Sequence, residues 1–269
     1  MKWPILHLLQ ACQFAFCLML AVVIPAHAGR SCEQRAPDAQ AVVKAMDLAF
    51  KVRQALDESG AEVAFVARVG QDLSKYHLRY SHMAFVWRDH PKGRWLVVHE
   101  LNACGTALSD LFDEGLGNFF MDDMFAYESK ILLPSAESQK KIIKVLAASE
   151  PKALHWPQYN MLAFPFSSKY QNSNQWVLET YASAQIGQAG VTRDEAQAWL
   201  KNAGYQPITL NISAISRLGG RMFRANIAFD DQPFERRMAG KIDTVTVDSV
   251  YRFLRQREVD LKEIELRLP

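Results

Sequence analysis

The chain has 269 residues, with 31 lysines and arginines against 29 aspartates and glutamates and a formal net charge of +2. The numbers of basic and acidic residues are nearly equal. This balance does not favour a nucleic acid partner, because nucleic acids are attracted by basic patches. Hydrophobic residues make up 49% of the chain, enough for a substantial core, and the four cysteines are too few for a disulfide scaffold.

The N-terminal segment has the order of parts of a secretory signal peptide. Lys2 provides a short positive region, residues 5–24 are mostly apolar, Pro25 interrupts the run, and Ala26-His27-Ala28 is a small-x-small cleavage pattern. The alternative is a retained transmembrane anchor, because the apolar run is nearly long enough to span a bilayer. Polar residues within the run favour cleavage; they are His7, Gln10 and Gln13.

Cleavage after Ala28 would divide the chain into a signal peptide, residues 1–28, and a single globular domain, residues 29–269. Removing 28 of the 269 residues leaves 241, and the loss of one lysine leaves a net charge of +1. We therefore expect a periplasmic or secreted protein that does not span the membrane after cleavage. Cys32 and Cys104 are equally compatible with one disulfide and with two free, buried thiols.

The first half of this domain predicts a helix followed by strands. Apolar residues recur at the helical period over residues 38–58, and β-rich runs occupy residues 61–69, 83–87 and 94–99. The segment Arg88–Gly93 has the composition of a turn, so the last two strands are expected to form a hairpin.

The second half mixes helices and strands. The predicted elements are a strand at 130–133, helices at 135–148 and 172–186, a helix whose capping box is Thr192 and Glu195, strands at 225–229 and 242–247, a helix capped by Asp248, and a tail at 258–269 that forms either a helix or a strand. The order lacks a regular βαβ alternation, which predicts an α+β fold rather than a doubly wound sheet.

Local motifs indicate no cofactor. The sequence contains no dinucleotide fingerprint, P-loop, nucleophile elbow or zinc-binding helix motif. Asp122-Asp123 is interpreted as a solvated pair of acids in a loop without metal-ligand spacing around it. Gly219-Gly220 is interpreted as a turn.

Two segments carry a resemblance to a known superfamily. Tyr80–Val86, which contains Ser81-His82, and Trp95–Glu100, which contains His99, resemble the core of the NlpC-type branch of papain-like proteins. In that branch a Ser-His dipeptide opens a strand and supplies the catalytic base, and the next strand ends in a residue that orients the base. The resemblance implies that His82 is the base and His99 the orienting residue, while Glu100 points to the opposite face of the sheet.

A circularly permuted branch of this superfamily, which includes relatives of lecithin–retinol acyltransferase, places the nucleophile after the histidines. Tyr170–Glu179 is similar to its Asn-Cys helix start, with Ser173 at the cysteine position. The resemblance implies an α+β, papain-like core of the permuted NlpC type, with an antiparallel sheet packed against helices. It also implies a Ser-His-His site for acyl transfer, with Tyr80 or the Ser173 amide stabilising the oxyanion. More closely, residues from about Arg68 to Phe253 resemble an exported bacterial family catalogued only as a domain of unknown function.

Three functions are left open. The first is an amide or ester hydrolase or acyltransferase acting on cell-wall peptides or lipids through Ser173, His82 and His99. The second is a non-catalytic protein that binds a peptide or lipid in a degenerate papain-like cleft, with Ser173 as an ordinary helix N-cap and the histidines as core residues. The third is a metal-dependent protein that uses the two histidines and a carboxylate such as Asp89. The sequence identifies neither the ligand nor a protein partner.

Overall fold

The computed structural model of the protein describes residues 38–122, 124–148 and 150–269. The predicted signal peptide and Cys32 lie outside the described residues. Cys104 is disulfide-bonded.

The described chain is an α+β fold built on a six-stranded antiparallel sheet with strand order β4-β3-β2-β1-β5-β8. Its strands are β1 (Val63–Val69), β2 (His82–His90), β3 (Gly93–Asn102), β4 (Ser109–Gly115), β5 (Ala126–Leu133) and β8 (Lys262–Arg267). A separate antiparallel pair is formed by β6 (Ile208–Asn211) and β7 (Lys241–Thr244).

Helices cover both faces of the sheet. In chain order they are α1 (Ala39–Ser59), α2 (Leu116–Met121), α3 (Ala136–Leu146), α4 (Glu150–Leu154), α5 (Ser173–Ile186), α6 (Arg193–Asn202), α7 (Ala214–Phe223), α8 (Phe234–Met238) and α9 (Val247–Arg257). Among the described residues, no helix is long and apolar enough to cross a membrane.

One side of the sheet, called here the α1 face, packs against α1 and α2. Strand residues on this face include Val66, Ala84, Val86 and Val97, and Phe119 of α2 belongs to the same buried cluster. Side chains alternate along a strand, so every second residue of β2 and β3 is directed toward α1 and α2.

The other side, called here the α5 face, packs against α3, α5, α6 and α9. Its strand residues include Met83, Phe85 and Val98, and the ring of Phe85 contacts that of Trp176 of α5 with centroids 5.9 Å apart. Side chains on the two faces alternate along each strand, so a site residue lies on the face opposite to that of the residues before and after it.

Helix caps place the elements where the sequence predicts them. The Asp38 side chain accepts a hydrogen bond from the Ala41 amide at the start of α1, and Gly60 ends that helix at a φ of 70°. Thr192 and Glu195 form the predicted capping box of α6. The tail contributes strand β8 rather than a helix.

Three local predictions are wrong. Residues 225–229 form no strand, because the carbonyl of Asn226 bonds the Met161 amide of a loop instead of a neighbouring strand. Thr246, not Asp248, caps α9, since its side chain accepts from the Ser249 amide. Gly219-Gly220 lies within helix α7 rather than in a turn.

The two edge strands of the sheet are rich in charge. Strand β4, which the sequence did not predict, has the sequence Ser-Asp-Leu-Phe-Asp-Glu-Gly, and β8 has Lys-Glu-Ile-Glu-Leu-Arg. Lys130 of β5 lies 2.9 Å from Glu265 of β8 and 3.6 Å from Glu263, so ion pairs accompany the backbone pairing there.

Candidate functional site

The hairpin of β2 and β3 brings His82 and His99 together on the α1 face. The Nε2 atom of His82 lies 2.9 Å from Nδ1 of His99, within hydrogen-bond distance. The two strands pair through Val86 and Val97, which places the two imidazoles diagonally across the ladder. This adjacency is the one that the histidine pattern predicts.

Glu114 of β4 extends the pair. Its Oε1 atom lies 3.0 Å from Nε2 of His99. A carboxylate only accepts, so Glu114 favours the His99 tautomer with its proton on Nε2. Nδ1 of His99 then accepts from Nε2–H of His82, which leaves Nδ1 of His82 as the unprotonated nitrogen.

A cation lies beside the imidazoles. Arg68 of β1, which pairs with His82 across the ladder, donates to the Phe119 carbonyl and to the Asp122 carboxylate. Its guanidinium is 4.6 Å from the centre of the Phe119 ring, and that ring lies 5.9 Å from His82 and 5.5 Å from His99. Asp122, interpreted from sequence as solvated, is therefore a partner of a buried arginine.

This environment keeps both histidines neutral. Burial lowers the pKa of His82 well below its ordinary value, and the neighbouring Arg68 and His99 lower it further. Burial also lowers the pKa of His99, although Glu114 opposes that shift. The pair thus resembles a neutral, hydrogen-bonded base more than an imidazolium.

Ser173 does not join the histidines. It begins α5, whose capping residue Asn172 accepts from the Gln175 amide. The side chain of Asn174, the next residue, accepts from the backbone amide of Met83, and Met83 faces α5. His82 directly precedes Met83 in the strand, so its side chain is on the opposite face. The sheet therefore separates the proposed nucleophile from the proposed base.

The partner of Ser173 is a tyrosine. The phenol of Tyr159 lies beside the hydroxyl and the backbone amide of Ser173; burial raises the pKa of Tyr159 to about 12, and these two Ser173 groups oppose that shift. The amide that was expected to stabilise an oxyanion thus faces a phenol. Tyr80, the other expected oxyanion donor, is buried in the core of the α5 face.

A buried acid that the sequence alone did not single out as functional lies on the Ser173 side of the sheet. Glu100 is directed away from His99, as expected from strand alternation, and is 0% exposed. Burial raises its pKa to about 8, against the opposing effect of the Ser109 hydroxyl. Ser109 Oγ lies 3.1 Å from Nε2 of His155, so a carboxyl, a hydroxyl and an imidazole are neighbours.

The metal-site alternative has no geometric support. Asp89 bonds Arg88 at the exposed end of the hairpin rather than the two histidines. In the part of the chain that the structure describes, no group of three or more His, Cys, Asp or Glu side chains is placed to hold a metal ion.

Comparison with known proteins identifies the family. A family profile described as "Uncharacterized protein conserved in bacteria (DUF2145)" matches residues 55–254. The chain belongs to the DUF2145 family. No curated protein and no solved structure matches the chain.

The DUF2145 match contains every residue discussed for the site. His82, His99 and Glu114 fall within it, as do Ser173 and Glu100. Most of α1 precedes the matched segment and β8 follows it, so both the histidine hairpin and the Ser173 helix belong to the part that defines the DUF2145 family.

Proposed function

We propose that this DUF2145 protein is an exported, non-catalytic protein that binds a peptide or a lipid, and that it does not carry out acyl transfer through Ser173. The observation that carries this proposal is the placement of Ser173 and the histidine pair on opposite faces of the sheet. A serine nucleophile requires a base within hydrogen-bond reach, because its hydroxyl does not ionise unaided.

The contacts of the histidine pair agree with a binding or structural role. Its neighbours in the described chain include Phe119, Arg68 and Glu114, none of which is a hydroxyl or thiol nucleophile. The described neighbour of the Ser173 hydroxyl is the phenol of Tyr159. These contacts support a histidine pair that does not take part in covalent catalysis.

We further infer that the relationship to NlpC-type proteins is confined to the hairpin. The pairing of His82 with His99 supports it, since the resemblance implies neighbouring histidines on adjacent strands. The helix that begins at Ser173 covers the α5 face, whereas the histidines are on the α1 face. This arrangement argues against a full permuted papain-like core.

Export is part of the proposal. The order of charged, apolar and small residues in the first 28 positions is that of a cleaved signal peptide. The disulfide of Cys104 agrees with an oxidising compartment such as the periplasm.

A serine-directed fluorophosphonate probe tests the absence of catalysis. We expect no labelling of Ser173, as read by mass spectrometry of the digested protein. Labelling of Ser173 that disappears in the His82→Ala variant would overturn the proposal.

A thiol introduced at the same position gives a second measurement. Ser173→Cys should react slowly with iodoacetamide near neutral pH, and His82→Ala in that background should not change the rate, because no imidazole lies beside the sulfur. Ser213→Cys, at the exposed N-cap of α7, is the matched control for a thiol at a helix start and should react faster than Ser173→Cys, because it is open to the reagent and the helix N-terminus lowers a thiol pKa. A faster reaction at position 173 that depends on His82 would contradict the separation of the two residues.

A second candidate, a serine hydrolase at a different place, is favoured by the contact of Ser109 Oγ with His155 Nε2 at 3.1 Å. That pairing is the one that activates serine in hydrolases. Ser109 is buried, however, which leaves its hydroxyl little access to a substrate. Fluorophosphonate labelling of Ser109 that is lost in His155→Ala would favour this candidate over the binding protein.

A further inference from the structure

Helix α7 presents a row of large apolar side chains to solvent. None of its residues is buried, and Ile215 and Phe223 are 85% and 75% exposed. Leu218 and Met222 are exposed as well. Ile215, Leu218 and Met222 follow the spacing i, i+3, i+7 and therefore form one stripe along the helix.

The stripe is directed away from the body of the protein. A Cβ atom placed on Gly220 would lie 3.4 Å from the Ile227 side chain and 4.0 Å from that of Phe229, so the Gly220 side of α7 rests on the domain. Gly220 follows Leu218 by two residues, about 200° around the helix. Leu218 and its stripe are consequently on the solvent side.

Helix α8 adds to the same exposed surface. Phe234 and Met238 of α8 are both exposed. The amide of Ile212, just before α7, bonds the carbonyl of Gly240, just after α8, with an N–O distance of 2.9 Å. The end of α8 thus adjoins the start of α7, and these exposed residues are called here the α7–α8 surface.

The charge of this surface is positive. Residues 208–229 contain no aspartate or glutamate but include Arg217, Arg221 and Arg224, and α8 contributes Glu235, Arg236 and Arg237. Within the described chain no carboxylate pairs with the guanidinium groups of Arg221 and Arg224, while Arg217 donates to the Ile212 carbonyl. An apolar stripe flanked by arginines is the arrangement of helices that lie in the interface of an anionic membrane.

We propose that the α7–α8 surface binds the surface of an anionic phospholipid membrane, with the apolar stripe inserted among the headgroups and the arginines against the phosphates. This assignment deepens the proposed binding function by naming its ligand class as lipid. In this contact α7 lies in the plane of the membrane interface.

Vesicle sedimentation of the full mature chain tests this assignment. Vesicles made of equal parts phosphatidylcholine and phosphatidylglycerol should bind the protein, and pure phosphatidylcholine vesicles should bind it much more weakly. Each arginine near an anionic surface contributes about fivefold to affinity, so Arg221→Gln with Arg224→Gln should weaken binding by about 25-fold. High salt should weaken it in the same direction.

A second variant tests the apolar stripe. Replacing Ile215, Leu218 and Met222 together with serine should abolish vesicle binding while leaving the circular dichroism spectrum and the thermal unfolding midpoint nearly unchanged, because these side chains contact little of the domain. The matched controls are Val259→Ser and Lys140→Gln, which alter an exposed apolar and an exposed basic residue elsewhere and should bind like the parent.

Equal binding to both vesicle types, no binding to either, or dimerisation through α7 in analytical ultracentrifugation would overturn the assignment. None of these results bears on fluorophosphonate labelling, so failure of the lipid assignment is distinguishable from failure of the non-catalytic function.

Discussion

Replacing Glu100 with glutamine measures how much a buried acid lowers the free energy of unfolding as the pH rises. The folded protein holds the Glu100 proton up to a pKa of about 8, whereas the unfolded chain releases it near the ordinary value of 4.5. At about 1.36 kcal/mol per pH unit, this difference lowers the free energy of unfolding by up to about 5 kcal/mol as the pH rises through that window. The sign follows because the unfolded state binds fewer protons there.

The Glu100→Gln variant has no proton to release, so it should gain stability relative to the parent as the pH rises from about 5 to about 8. Urea unfolding at both pH values measures the gain. Glu235→Gln, at an exposed position, is the control and should show a constant difference from the parent. A constant difference for Glu100→Gln as well would refute the idea that this acid is held protonated.

Three further predictions concern a buried ion pair, the protonation of the two histidines, and export. Arg193→Met leaves the fully buried Glu179 without its cation at 2.8 Å, so urea denaturation should show an unfolding free energy lower by about 3–5 kcal/mol; a loss under about 1 kcal/mol would contradict this. Nitrogen-15 NMR near pH 6.5 should find His82 and His99 neutral, since burial lowers both pKa values; imidazolium signals would show otherwise. Intact mass of the exported protein should place its N-terminus at Gly29, and retention of the first 28 residues would indicate an anchor.

The sequence predicts the elements of this fold better than their assembly. A capping box such as that of Thr192 and Glu195 predicts a helix start because the cap is a local hydrogen bond. The histidine hairpin is predicted for a similar reason, since a turn between two β-rich runs brings the strands together. Strand β4 is missed because its acids, which suit an edge strand, have low strand propensity.

The sequence predicts one part of the candidate site, the contact between the two histidines, but not the face of the sheet on which they lie. The pattern around His82 and His99 predicts that the two side chains meet, and they do. Which face they share is decided by the packing of α1 and α5, which no local motif encodes. Ser173 has the same sequence environment whether its helix covers one face or the other, so its separation from His82 needed three-dimensional information.

The charged edge strands affect how the protein behaves at high protein concentration. An edge strand offers unpaired amides and carbonyls to any extended chain nearby, and such pairing is the first step of edge-to-edge aggregation. Strand β4 exposes Asp110 and carries Asp113 and Glu114, and β8 alternates Lys262, Glu263, Glu265 and Arg267 with its apolar residues. A strand docking on either side would have to strip water from these charges, which opposes pairing at both edges of the sheet.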